Sequence, residues 1–269
     1  MSKLSVRLRQ LGFGICFTLF GFGGLILSYV IFPLIFICER NKLARQDLCQ
    51  WWISVAFQGF VWFMNFVGVL SIDVHHKERF VTNKGALVVA NHPTLIDVVI
   101  IIGQLRQCDC IVKASLWKNP FIRHVIQMAG YIPNDSEDIL DICESKMSSG
   151  RKLLVFPEGT RTTPNSVVKC QRGAAQLAIR CNTDIQRVLI TSNPATLYKG
   201  IAWYDVPQIK PQIDVVILEC ESTQALVDCS RSTPIAARRL TRYFEASLEP
   251  SLKPEQMTIE DYVLGNFTK

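Results

Sequence analysis

Not one charged residue interrupts the 28 positions from Leu11 to Cys38 of this 269-residue chain, and no stretch ends at the small residues of a cleavage site. The run closes on FPLIFICER, which reads as a retained anchor and not as a removable leader. Other absences narrow the field further. With 49% apolar and 19% charged residues, the composition excludes disorder and collagen. There is no CxxC pair; the ten cysteines are scattered, several of them in strand or helix patterns where a thiol packs as a small hydrophobe. Together with the four histidines they form no zinc spacing, so neither a disulfide framework, a structural metal nor a cofactor is expected. The soluble part lacks a stripe of basic and aromatic residues, which argues against nucleic acid. No internal repeat or low-complexity tract is visible.

What is present begins with membrane chemistry. A helix over the uncharged run, at about 1.5 Å per residue, exceeds the roughly 30 Å hydrocarbon core. A second uncharged stretch, Trp51 to Leu70, carries Ser54, Gln58, Asn65 and Gly68 near one helical face. That pattern suits a helix with protein on one side and lipid on the other, with Trp51 and Trp52 as interfacial anchors. Residues 1–70 therefore read as a membrane-anchoring helical hairpin, fully spanning or re-entrant. The net charge of +6 is concentrated there: Lys3, Arg7, Arg9, Arg40, Lys42 and Arg45 face only Glu39 and Asp47 within the first fifty residues. Such bases suit anionic lipid headgroups.

From residue 80 short apolar runs alternate with amphipathic stretches. Residues 86–90, 108–112, 152–156, 187–191 and 214–219 read as strands. Leu95 to Gln104, Pro120 to Ala129, Ser136 to Ser149 (Ser N-cap, Gly150 at its end), Gln171 to Arg180 and Thr233 to Leu248 read as helices. The alternation predicts an α/β unit over 71–269, a mixed and largely parallel sheet flanked by helices, with ligands at the strand C-terminal ends. The stretch from Asn193 to Gln212, punctuated by three prolines and carrying Trp203 and Tyr204, is long for a connection and reads as a lid or binding loop.

Two clusters follow predicted strands. After ALVVA comes NHPTLID, with His92 and Asp97 flanking a strand-to-helix turn. Pro93 opens that helix, so the carboxylate can fold back onto the imidazole, fix its tautomer and leave the other ring nitrogen as a base. No Ser or Cys nearby is placed as a nucleophile, so transfer to an outside hydroxyl is the simpler chemistry. After KLLVF comes FPEGTR: Gly159 permits close backbone approach, Thr160 donates hydrogen bonds, Arg161 offers a planar fork for phosphate or carboxylate, and Glu158 can orient a hydroxyl or the loop. Lys169 and Arg172 add positive charge nearby. Either cluster alone also fits an ordinary turn.

Taken together, and in this order, the clusters resemble the lysophospholipid and 1-acylglycerol-3-phosphate acyltransferase family. NHPTLID is similar to its first motif, and FPEGTR followed by KCQRGA to its third; the likeness covers roughly residues 80–220. The resemblance implies His92 as general base on an acceptor hydroxyl and Asp97 as its orienting partner. It makes Glu158, Gly159, Thr160, Arg161, Lys169 and Arg172 the substrate-binding set. The implied partners are an acyl-CoA or acyl carrier protein thioester, a lysolipid acceptor and membrane lipids. Thioester donors and reduced cysteines both point to a catalytic domain on the cytoplasmic side of the inner membrane. Two departures stand out. The family's second motif usually ends in an Arg, where GYIPND has Asn134 and Asp135. Its fourth usually has a Pro near the place of Arg187. Arg161, Lys169 or Arg187 are the residues placed to compensate. PATLYKGIAWYDVP also looks like members associated with bacterial polyene lipids, whose acceptor need not be the standard one. The competing readings are a hydrolase in which His92 activates water and a non-catalytic lipid-binding or scaffold protein.

Overall fold

The computed structural model describes residues 3–80, 85–119, 122–164, 166–227 and 233–250. The uncharged run is one long rod: α1 (Lys3–Ile26) passes through a π turn (Leu27–Ile31) into α2 (Phe32–Cys38). The π turn lies just before Pro33, which has no N–H to give to the preceding turn. The chain then reverses. Asn41 caps α3 (Lys42–Val67) by accepting from the backbone N–H groups of Leu43 at 2.9 Å and Ala44 at 3.2 Å.

The rest alternates: β1 (Ser71–His75), a 3-10 turn (Lys77–Phe80), β2 (Ala86–Ala90), α4 (Asp97–Leu105), β3 (Asp109–Val112), α5 (Ala114–Trp117), α6 (Arg123–Met128) and β4 (Ile132–Pro133). Then come α7 (Ile139–Ser148), β5 (Leu153–Val155), α8 (Gly173–Cys181), β6 (Asp184–Asn193), β7 (Gln212–Ser222), α9 (Thr223–Leu226) and α10 (Thr233–Ser247). The strands form one seven-stranded sheet in the order β1-β7-β6-β2-β5-β3-β4. Only β6 and β7 pair antiparallel; every other neighbouring pair is parallel. This is the mixed, largely parallel α/β sheet with flanking helices that the alternation predicts.

All five residues of β2 are buried, as a central parallel strand covered on both faces requires. Its side chains divide by alternation. Val88 and Ala90 join a core shared with α1, α3, α4 and α6, whereas Leu87 and Val89 join one shared with α7, α8 and α10. The hairpin thus packs over this face of the sheet, α3 lying chiefly on α4 and touching β1. The polar stripe of α3 makes that contact: Ser54 Oγ and Gln58 Nε2 donate to the Gly103 carbonyl at 3.1 and 2.5 Å, and Asn65 Oδ1 accepts from Ile72 N at 2.8 Å. Among the described residues, the Leu4–Cys38 rod is the one helix long and apolar enough to cross a membrane. The second arm opens on the polar KLARQD and gives part of its surface to the sheet.

Some boundaries move. The sequence reading passes over β1, an edge strand whose Asp73 and His75 are exposed, and β4, which has two residues. The helix expected from Ser136 starts at Ile139 instead, because Ser136 spends its carbonyl on Ile139 N in a turn and Asp138 takes the cap position without a side-chain bond. Of the helix expected over 120–129, α6 covers Arg123–Met128, and positions 120 and 121 lie outside the described residues, as do Cys229 and the expected unit's last stretch, 251–269.

A buried carboxylate fastens α3 to the sheet edge. Asp109, fully buried, accepts from Lys146 Nζ at 2.7 Å, Arg151 Nε at 2.6 Å and Gln50 Nε2 at 3.1 Å. Arg151 reaches on to Asp47 at 2.5 Å and Gln50 Oε1 at 3.0 Å. Removing one member of such a network strands the others. Asp109→Ala should cost about 3–5 kcal/mol, read as a lowered thermal unfolding midpoint in detergent; an unchanged midpoint would show that the network carries no such load.

Candidate active site

Because β2 and β5 are adjacent and parallel, the loops after them leave the sheet side by side at the same end. Residues 92–97 and 156–161 meet there. Asn91 sets the departure from β2: its Oδ1 accepts from Ile190 N at 2.7 Å and its Nδ2 donates to Ile190 O at 2.8 Å, clamping the strand end to β6. Asp97, at the first turn of α4, is fully buried. It folds back as expected, with His92 Nδ1 2.8 Å from Asp97 Oδ2. The same carboxylate takes the Thr94 N–H at 2.7 Å and the Thr94 hydroxyl. With three donors on Asp97, the Nδ1 proton is held and Nε2 carries the lone pair. The Phe156 ring lies against the imidazole, centroid to centroid 4.4 Å.

Glu158 faces the neighbouring loop's backbone. Its Oε1 accepts the His92 N–H at 2.9 Å, and the Thr162 hydroxyl lies 2.9 Å from both oxygens. Thr162 N in turn donates to the His92 carbonyl at 2.8 Å. Burial raises the Glu158 carboxyl above its usual value, partly offset by the bonds from His92 N and Thr162. Gly159 sits at φ 66, the left-handed region that a side chain resists, and this lets 159–161 turn toward the cavity.

That cavity has a volume of about 840 Å³. Its walls are apolar and come from α1, α3, α4 and α6; His92 and Phe156 lie on its sheet side. Polar groups gather along the strand ends: Gly159, Thr160 and Arg161, joined by Lys113, Asn134 and Lys199. Arg161 Nη1 donates to the carbonyls of Leu197 at 3.0 Å and Tyr198 at 3.2 Å, so the 193–212 loop is held on the site at its root.

Not every expected binding residue gathers there. Lys169 and Arg172 are exposed and do not line the cavity. Arg187 is buried elsewhere, 2.7 Å from Glu221 and over the Tyr243 ring. Asn134, where a cation was sought, accepts from Ala114 N at 3.0 Å and so shapes the turn that carries Lys113. The sequence reading missed Lys113 and Lys199. Lys113 had a signal, since it directly follows a predicted strand, where ligands gather in open α/β sheets; Lys199 had none beyond its place in the proline-bounded loop.

Residues 71–191 match the protein-family model described as Acyltransferase. Over that segment the chain is similar to the acyltransferase family. Among similar proteins, 1-acyl-sn-glycerol-3-phosphate acyltransferase of Helicobacter pylori is 30% identical over 129 residues, covering 42% of this chain and 54% of that protein. The chloroplastic 1-acyl-sn-glycerol-3-phosphate acyltransferase BAT2 of Brassica napus is 24% identical over 196 residues, covering 68% and 53%. The chain spans about half the length of these curated relatives. The crystal structure of PlsC from Thermotoga maritima, titled a 1-acyl-sn-glycerophosphate acyltransferase, shares the fold: TM-score 0.66 at 19% identity, over 96% of this chain and 100% of that one.

The Glu158 bridge is open to test. Glu158→Ala leaves the His92 N–H without its acceptor and should destabilise by roughly 1–3 kcal/mol, whereas Glu158→Gln, which still offers an oxygen, should lose less. Thermal midpoints equal to that of the unmodified protein in both variants would remove the bridge from the account.

Proposed function

We propose that the protein transfers an acyl group from a thioester to the hydroxyl of a lysolipid acceptor such as 1-acylglycerol-3-phosphate. The observation that carries the reading is the His92–Asp97 pair at 2.8 Å on the wall of an apolar cavity whose polar end gathers Lys113, Arg161 and Lys199. A long-chain acyl group needs apolar volume, a phosphate needs cations, and a weakly acidic hydroxyl needs a base; one cavity offers all three.

In this mechanism His92 Nε2 takes the proton of the acceptor hydroxyl as its oxygen attacks the thioester carbonyl carbon. The Asp97 carboxylate favours the imidazolium that forms. Collapse of the tetrahedral intermediate breaks the C–S bond, and the imidazolium returns its proton to the leaving thiolate. No acyl-enzyme is formed. Arg161, with Nη1 committed to the loop carbonyls, presents its remaining donors to the acceptor phosphate. Lys113 supplies the charge that the second motif lacks. Glu158, Gly159 and Thr160 shape the loop, and Lys169 and Arg172 add positive potential outside the cavity. The Leu4–Cys38 rod seats the enzyme in a membrane, where both acyl chains reside, and the catalytic unit faces the cytoplasm, where thioester donors are made.

A labelled acyl thioester offered with a panel of lysolipids separates this reading from hydrolysis and from binding alone. Transfer product is expected; free fatty acid alone, or binding without product, would falsify the proposal. His92→Ala should lower the transfer rate by about 10²- to 10⁴-fold while the thermal midpoint holds. Asp97→Asn should also be severe, because an amide cannot favour imidazolium; near-wild-type rates in either variant would dismiss the base.

A separate expectation concerns Arg161. Arg161→Lys keeps the charge but loses the planar fork, so the acceptor KM should rise for phosphate-bearing lysolipids and stay level for neutral ones. Identical kinetics on both classes would count against the phosphate contact.

A further inference from the structure

The segment after β6 is attached at both ends of its course. At its root, the buried Leu197 carbonyl accepts from Arg161 Nη1 and from Leu95 N, each at 3.0 Å. Further along it lies on α1. Arg9 Nη1 donates to Pro207 O at 2.5 Å, and Gln10 Nε2 to Tyr204 O at 3.0 Å. Trp203 packs edge-on against Phe17, centroids 5.9 Å apart, and over Gly14, where an added Cβ would lie 3.7 Å from the indole.

Its outer surface is uncovered and sets large apolar side chains among the exposed Asp205, Gln208 and Lys210. Trp203 is 44% exposed, Tyr204 56% and Ile209 65%. Trp203 also walls a shallow groove of about 580 Å³ along α1 whose other walls include Leu11, Ile15 and Phe22, themselves exposed. The patch is therefore continuous with the outward face of the membrane-length helix. Its level along that helix is fixed by charge. Arg7 and Arg9 lie at the polar end, and Gly14 is five residues beyond Arg9, about 7.5 Å at the α-helical rise. Headgroup layers are of that depth, roughly 5–8 Å a side. Trp203 and Tyr204 thus fall where headgroups give way to hydrocarbon, the level at which amphipathic rings collect. Lys210 beside Ile209, and Arg7 on the helix, suit anionic headgroups.

We propose that residues 199–210 form a membrane-seated strap: Trp203, Tyr204 and Ile209 enter the bilayer interface beside α1, and that seating keeps the Leu197 and Tyr198 carbonyls on Arg161. The occupant of this surface is a lipid bilayer with anionic headgroups. The strap rests on the membrane reading above and extends it from the anchor to the substrate-binding loop. Lipid contact then bears on the one side chain that presents a guanidinium to the acceptor.

The full chain in nanodiscs of phosphatidylcholine and phosphatidylglycerol tests both halves. Emission of the unmodified protein minus that of Trp203→Phe isolates Trp203. Lipids brominated high on the acyl chain should quench this difference more than lipids brominated near the methyl end. No quenching by either, or equal quenching by both, overturns the seating, whether or not the protein turns out to transfer acyl groups. For the coupling, Tyr204→Ser/Ile209→Ser should raise the KM for a phosphate-bearing acceptor about tenfold, the worth of one weakened charge-assisted hydrogen bond, with kcat held. An unchanged KM overturns the coupling. Absence of transfer in the unmodified protein would instead fault the enzymatic reading and leave quenching to decide the strap.

Discussion

One carboxylate decides whether the site exists. His92 follows β2 and Arg161 follows β5, and nothing in the sheet ladder itself extends far enough to hold these two departing loops in register. Glu158 does so by accepting the His92 N–H while the Thr162 hydroxyl lies on it, with Thr162 N returning to the His92 carbonyl. The histidine backbone is thereby pinned from one loop while its ring is pinned by Asp97 from the helix ahead. A burial-raised carboxyl is an expensive way to join two turns. Its use here fits a site in which sub-ångström placement of the imidazole matters more than local stability.

Around that joint the sheet separates two apolar cores. The sheet face bearing Val88 and Ala90 is roofed by the hairpin and α4, and the opposite face, bearing Leu87 and Val89, by α7, α8 and α10. The cavity lies on the roofed side, between the apolar helices and the strand ends. Apolar walls and a polar rim at the strand ends thus meet in one cavity.

How much of this could be read beforehand follows from what each strand must bury. ALVVA and KLLVF are central parallel strands, apolar on both faces, and stand out in the sequence for that reason; β2 occupies the residues read for it. β1 alternates Ile72 and Val74 with the exposed Asp73 and His75, a short half-buried pattern that the reading passed over beside the long apolar run before it, and β4, two residues long, has none. The His92–Asp97 contact was legible because five residues across a proline-opened turn leave little other choice. Proximity of charge in sequence was a poor guide: Lys169 and Arg172 are close to Arg161 in number, yet the cavity takes Lys113 and Lys199, which strand order and loop docking bring in from 48 and 38 residues away. Asn134, read as a missing cation, turns out to hold the turn that supplies one.

The roofing of one sheet face by α3 also sets an order of assembly. That helix leaves the ribosome before any strand it covers, and its Ser54, Gln58 and Asn65 await partners at Gly103 and Ile72 that are synthesised later. The sheet and α4 therefore close onto a helix already made, as a lid closes onto a box. A fragment begun at residue 71 would bare the α4 and β1 surfaces that α3 covers, so aggregation is the expected fate of the sheet without its hairpin.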